Sequence, residues 1–252
     1  MSESDHEETP TETPTEQAAE SVKTTSKSPW IWLVAGLILA GLLPFGADSV
    51  MSNYQVPLPT EFDALSSIPE PNDEQSATMG KLLNENDYVN QKQFMFGVGM
   101  VVVIVFGLFA GVISGRVILG VVGAAVGVGV MYLLAMVATP LALDFEQQAI
   151  SDVGAGDTKA IMLHTLQWAT FGIASSVAVL IGFANPGVAV KFLGAALLAA
   201  VLGSVLYVIG AAIIDPANKT ALAAPVAGTA GYLWTSLIPL LTSLFMARTN
   251  QV

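Results

Sequence analysis

The chain contains no cysteine and only two histidines among its 252 residues. The first absence excludes a disulfide framework, a thiolate metal site and a cysteine nucleophile. The second leaves His164 as the one histidine outside the N-terminal tail. A lone imidazole, with no second His, no Cys and no Glu at helical spacing, makes a poor metal site. It reads instead as a hydrogen-bonding group near Gln167 and Trp168 at the interfacial start of an apolar run. No Ser-His-Asp arrangement can be built on it and no cofactor motif is present, so the expectation is a non-enzymatic protein without a cofactor.

Charge is also scarce. Charged residues make up 12% of the chain, about half the fraction usual in soluble domains. The nine Lys and Arg are scattered and form no basic stripe, which argues against nucleic-acid binding. The formal net charge of -11 is uneven: Glu3, Asp5, Glu7, Glu8, Glu12, Glu16 and Glu20 crowd the N-terminus. Segment 1–28, with its Thr-Pro-Thr-Glu repetition, has almost nothing apolar to bury and reads as a disordered acidic cytoplasmic tail.

What the chain has instead is long apolar runs. No Asp, Glu, Lys or Arg falls within 30–46, 94–115, 117–143 or 192–214. Uncharged apolar runs of about 18 or more residues read as membrane spans. Six are expected, at about 30–47, 94–114, 117–138, 166–184, 192–214 and 225–246. The fold class is therefore an all-α membrane protein, a Gly/Ala-packed bundle whose partner of first resort is the lipid bilayer. Segment 29–47 is the first span, with a signal-anchor reading alongside, and Trp30 and Trp32 mark its interface. Segment 48–93 reads as an acidic, Pro-rich extracytoplasmic loop, and 143–165 as a second outer loop. Segment 94–247 forms a five-helix membrane region, and 248–252 a cytoplasmic C-terminus. Arg116 and Lys191 in short connections favour N-in, C-in, in a cell membrane of the bacterial inner-membrane type.

A shift of 75 positions aligns Phe96-Gly97 with Phe171-Gly172, Arg116 with Lys191 and Tyr132 with Tyr207. It suggests a parallel repeat of two helical hairpins, 94–140 and 166–216. On that reading the first and last spans pack outside a four-helix core.

The glycines of 106–130 have neither Walker spacing nor a flanking strand, so they do not form a phosphate cradle. Gly107, Gly111 and Gly115 recur at i, i+4 and i+8, and Gly120, Gly123 and Gly127 at i, i+3 and i+7. Ala195, Ala199 and Gly203 repeat the device. In lipid, small residues on one helix face let backbones approach closely, and packing is their expected use, within the chain, in a homo-oligomer or with other membrane proteins.

Two further constellations carry the alternatives. Tyr232, Ser236, Pro239 and Ser243 share one face of the last span, with Thr235 and Thr242 alongside. They could line a path for a small neutral solute, or bond across a helix interface. Gly154-Ala155-Gly156-Asp157 resembles the G-x-G-D tetrad of intramembrane aspartyl proteases and prepilin peptidases, and Lys159 follows as in the latter. That resemblance implies a second carboxyl, for which Asp144 or Asp152 is the candidate. Both share one loop with Asp157, whereas those families draw the pair from different helices. A Gly-Asp turn is the alternative reading.

Overall fold

The computed structural model describes residues 30–151, 156–214, 216 and 228–249. The tail 1–28, Asp152, Gly154, Ala155 and the extreme C-terminus from 250 onward lie outside the described residues. The described chain is helical: α1 (Trp30–Tyr54), α2 (Thr60–Ser66), α3 (Asp73–Ser114), α4 (Val117–Ser151), α5 (Gly156–Phe183), α6 (Pro186–Ile214) and α7 (Gly228–Thr249). Four of them, α3 to α6, are long and apolar enough to cross a membrane, while the apolar part of α1, Trp30–Gly46, is shorter. The chain is thus a multi-span helical membrane protein, with four clear crossings among the described residues where six were expected along the whole chain.

The expected outer loop at 48–93 is largely helical. α1 runs on to Tyr54, α2 follows, and α3 begins at Asp73 rather than at 94. The start is fixed by a capping box: Gln75 N donates to Asn72 Oδ1 at 2.8 Å, and Asn72 N donates to Gln75 Oε1 at 3.0 Å. Asp73 and Glu74 occupy the first turn, where carboxylates complement the exposed N–H groups. No proline interrupts α3, so its 42 residues run about 63 Å, roughly twice the thickness of a hydrocarbon core. α4 likewise continues past the expected 138 to Ser151, which turns most of the second expected loop into helix.

Asn86 and Asn90, one turn apart, tie down the segment between α1 and α2. Val56 N donates to Asn90 Oδ1 at 2.7 Å, and Asn86 Nδ2 donates to the carbonyls of Val56 and Pro57 at 3.0 and 3.1 Å.

The helices close into a ring in which α1 meets α3, α3 meets α4, and contacts continue through α5, α6 and α7 back to α1, with α3 and α5 also touching across it. α1 and α7 complete the ring by packing on each other, instead of lying separately outside a four-helix core. Trp30 is exposed, but Trp32 is buried among Phe106, Phe183 and Phe192, with ring centroids 5.8 to 6.4 Å away. Only Trp30 therefore has the exposure expected of an interface marker.

The glycine faces sort by neighbour. A Cβ on Gly111 would lie 2.6 Å from Gly120 Cα, and one on Gly107 would lie 3.0 Å from Ala124 Cα. These are backbone contacts between α3 and α4 that no side chain can relax. Gly123 turns to α5 instead, where an added Cβ would meet the carbonyl oxygen of Ala178 at 2.5 Å, and Gly127 lies between α3 and α5, its added Cβ meeting Val103 Cγ1 at 2.6 Å and the Ala174 carbonyl oxygen at 3.1 Å. Gly203 faces Ile238 of α7, and Ala195 and Ala199 are buried on α6. Gly115 is not a packing residue. It ends α3 at φ 71°, a left-handed conformation that glycine adopts without cost.

The second hairpin turns at Ala184, φ 50°, 69 positions after Gly115. The two turns are thus out of step with a 75-residue repeat: Arg116 sits in its turn, whereas Lys191 lies inside α6. Ser114 Oγ donates to the Gly182 carbonyl at 2.8 Å and Arg116 Nη1 to that of Phe183 at 3.3 Å, which locks the two turns together.

Replacing Gly111 with Val must push α3 and α4 apart, and overpacking of this kind costs about 1–3 kcal/mol. Gly194, whose Cβ would meet nothing within 4 Å, should accept Ala with unchanged or slightly raised stability. Thermal unfolding of the two variants in detergent, followed by circular dichroism, checks both.

Candidate functional site

Among the described residues the buried polar groups gather on α5 and its neighbours. α5 enters the bundle at Gly156, and by its third turn presents His164 and Gln167, both fully buried. His164 lies about 29 Å along the helix axis from the Ala184 turn, close to the full depth of a hydrocarbon core. It therefore sits near the membrane boundary by depth, yet inside the protein rather than at its lipid-facing surface.

Trp234 of α7 donates its indole N–H to His164 Nδ1 at 3.1 Å, and Gln167 Oε1 stands 3.1 Å from the same nitrogen. Indole can only donate, so Nδ1 must offer its lone pair. The imidazole is then neutral and carries its proton on Nε2. Tyr207 of α6 meets the imidazole edge to face, with centroids 4.6 Å apart. Trp168 and Phe94 flank Trp234 at 5.0 and 5.9 Å. Three helices, α5, α6 and α7, thus meet at one imidazole through rings and hydrogen bonds, and α3 joins them through Phe94 on Trp234.

Sequence spacing places Gln167 and Trp168 near His164, but Trp234 and Tyr207 come from α7 and α6, 70 and 43 positions away, and carry no local signal. Chemically, the arrangement is a neutral imidazole in an aromatic cage. Its geometry suits joining helices.

The hydroxyl face of α7 is turned toward α1. Ser236 Oγ donates to the Ala40 carbonyl at 3.3 Å. Ser243 is fully buried, and a Cβ on Gly36 would lie 2.6 Å from its Oγ and 3.1 Å from the Pro239 carbonyl oxygen. Tyr232 is exposed on the outside of the bundle. The four residues therefore serve a helix contact on one side and open to the surroundings at Tyr232. They do not surround a common space.

Asp157 is exposed in the first turn of α5, where a carboxylate complements the helix N-terminus. Asp144 is exposed on α4 and accepts from Gln148 Nε2 at 2.8 Å. Asp152 lies outside the described residues. Of the tetrad, Gly156 and Asp157 thus form the start of a helix, and no group of three or more His, Cys, Asp or Glu side chains suited to a metal ion occurs among the described residues.

Trp234→Phe keeps the ring contacts and removes only the indole donor. It should lower stability by about 1–3 kcal/mol, the usual cost of leaving a buried partner unpaired. Trp30→Phe, at a position 66% exposed, should stay within about 0.5 kcal/mol. Thermal unfolding of the two variants side by side gives the comparison.

No family model, curated protein or solved structure matches this chain, so the geometry of its own residues carries the functional reading.

Proposed function

We propose that the protein is a non-enzymatic assembly component of a bacterial inner membrane, a six-span N-in, C-in bundle that pairs with a second copy of itself through α4. The observation behind this reading is Ala125 and Gly129, four residues apart and exposed on α4. A Cβ on Gly129 would meet nothing within 4 Å. α4 is also the clear span with the smallest share buried inside the protein, 28% of its apolar window. A small-xxx-small pair facing out of the bundle offers to a second helix the same close approach that Gly111 and Gly120 use within it.

Charge supports the orientation. Arg116 Nη1 bonds at the turn end, and Lys191 Nζ reaches the Thr249 carbonyl there at 3.5 Å, so α7 ends on the same side with Arg248. Glu61, Asp63, Asp73, Glu74 and Asp157 stand on the α2 and α3 start or the α5 start, at the other side. Short connections rich in Lys and Arg stay in the cytoplasm.

A passive path for a neutral solute has less to stand on. The cavity in the bundle centre measures about 10 Å³, and Ser236 and Ser243 of α7 face α1.

Since the chain has no cysteine, single cysteines report without background. Gly129→Cys should give a disulfide-linked dimer when native membranes are oxidised, and Gly194→Cys should not. A monomer at Gly129→Cys would overturn the pairing. For orientation, Glu74→Cys should react with an impermeant maleimide from the outside of intact cells, and Arg116→Cys only after lysis. The reverse pattern would overturn N-in, C-in.

A further inference from the structure

α5 carries two buried polar atoms with no hydrogen-bond partner among the described residues, Trp168 Nε1 and Ser175 Oγ. Trp168 is 3% and Ser175 0% exposed. Both residues line one enclosed cavity at the centre of the ring, together with Val102 and Phe106 of α3 and Ile238 and Thr242 of α7.

Three hydroxyls nearby are satisfied locally, whereas Ser204 Oγ and Ser243 Oγ, which do not line the cavity, also have no partner among the described residues. Thr170 donates to the Leu166 carbonyl at 2.7 Å, Ser176 to Ile173 at 2.7 Å and Thr242 to Ile238 at 2.9 Å. Ser175 makes no such bond, which leaves its hydroxyl to the cavity. The indole N–H of Trp168 has only donor character and needs an acceptor. Leaving either atom unpaired costs about 1–3 kcal/mol.

Size decides what can answer them. The cavity measures about 10 Å³, close to the minimum of roughly 10–15 Å³ for one water. Any larger polar ligand is excluded, and a bound water also needs at least two polar partners. We infer that this cavity is a binding site for a single water molecule, which accepts from Trp168 Nε1 and exchanges a hydrogen bond with Ser175 Oγ. Ser175 stands about 12 Å along the helix from the Ala184 turn, so the site lies at hydrocarbon depth. Water fits there because the protein, not lipid, surrounds it.

The full chain, labelled with ¹⁵N-tryptophan and held in phosphatidylcholine nanodiscs, gives four indole N–H signals for its four tryptophans. Trp168→Phe identifies the relevant one. A rotating-frame cross-peak between water and the Trp168 indole is expected, and Ser175→Ala should reduce it at least twofold while the other three signals keep their shifts. If those shifts move, Ser175→Cys, nearly equal in volume and a weaker hydrogen-bonding group, takes its place with the same expected reduction. No cross-peak at Trp168, or one unchanged by loss of the Ser175 hydroxyl, would overturn the site; the second result would mean that Ser175 turns to its own helix.

Discussion

Everything in the bundle depends on how closely α3 and α4 approach at Gly111 and Gly120. In lipid no hydrophobic force drives helices together, since the tails are as apolar as the side chains, and dispersion contacts must do what burial does in water. A single Cβ at either glycine would meet backbone on the opposite helix. That contact sets the spacing of the first hairpin. The spacing in turn lets Gly123 reach the Ala178 carbonyl on α5 and lets Gly182 lie against Ala110. The three helices are therefore fixed by one chain of close approaches, and the Ser114 and Arg116 bonds to Gly182 and Phe183 close it at the turns.

Polar groups are then distributed by depth. At the turn end the backbone carbonyls freed by helix termination take Arg116 and Lys191 as donors. At the far end, long helices carry carboxylates in their first turns. Between the two, buried polar atoms meet one another across helices, as His164 and Trp234 do. The cost of burying an imidazole is offset when its lone pair is taken by a donor with no other role, and indole is such a donor.

The apolar runs made the helical, membrane-bound class legible, because a charge-free run of that length has few other fates. The glycine spacing put Gly107 and Gly111 on one face, since periodicity reports which residues share a face, and added Cβ atoms at these positions and at Gly120 would meet the backbone of the facing helix. The same spacing misassigned Gly115, because a glycine one turn further along looks the same whether it packs or caps. The 48–93 region read as loop through its prolines and acids, yet Asn72 to Gln75 is a helix-start signal that the acidic composition masked. Once α3 starts there, its lack of proline carries it unbroken into the membrane. The His164 site was half visible: Gln167 and Trp168 are one helical turn away, while Trp234 and Tyr207 arrive through tertiary packing that no single segment encodes. The 75-residue match failed for a related reason. Glycine, alanine and valine coincide easily in this composition, and the turns that define a hairpin are 69 positions apart.

α3 does not stop at the membrane boundary. One unbroken helix joins the capping box at Asn72 to the Gly111 contact, braced by the Asn86 and Asn90 bonds to the segment that follows α1. Such a rod is a lever whose fulcrum is the boundary. Its outer arm is about as long as its inner one, so a sideways displacement of the tip arrives at the glycine contact with nearly undiminished amplitude. The close backbone contact at Gly111 and the exposed helix start at Asn72 thus belong to one rigid piece.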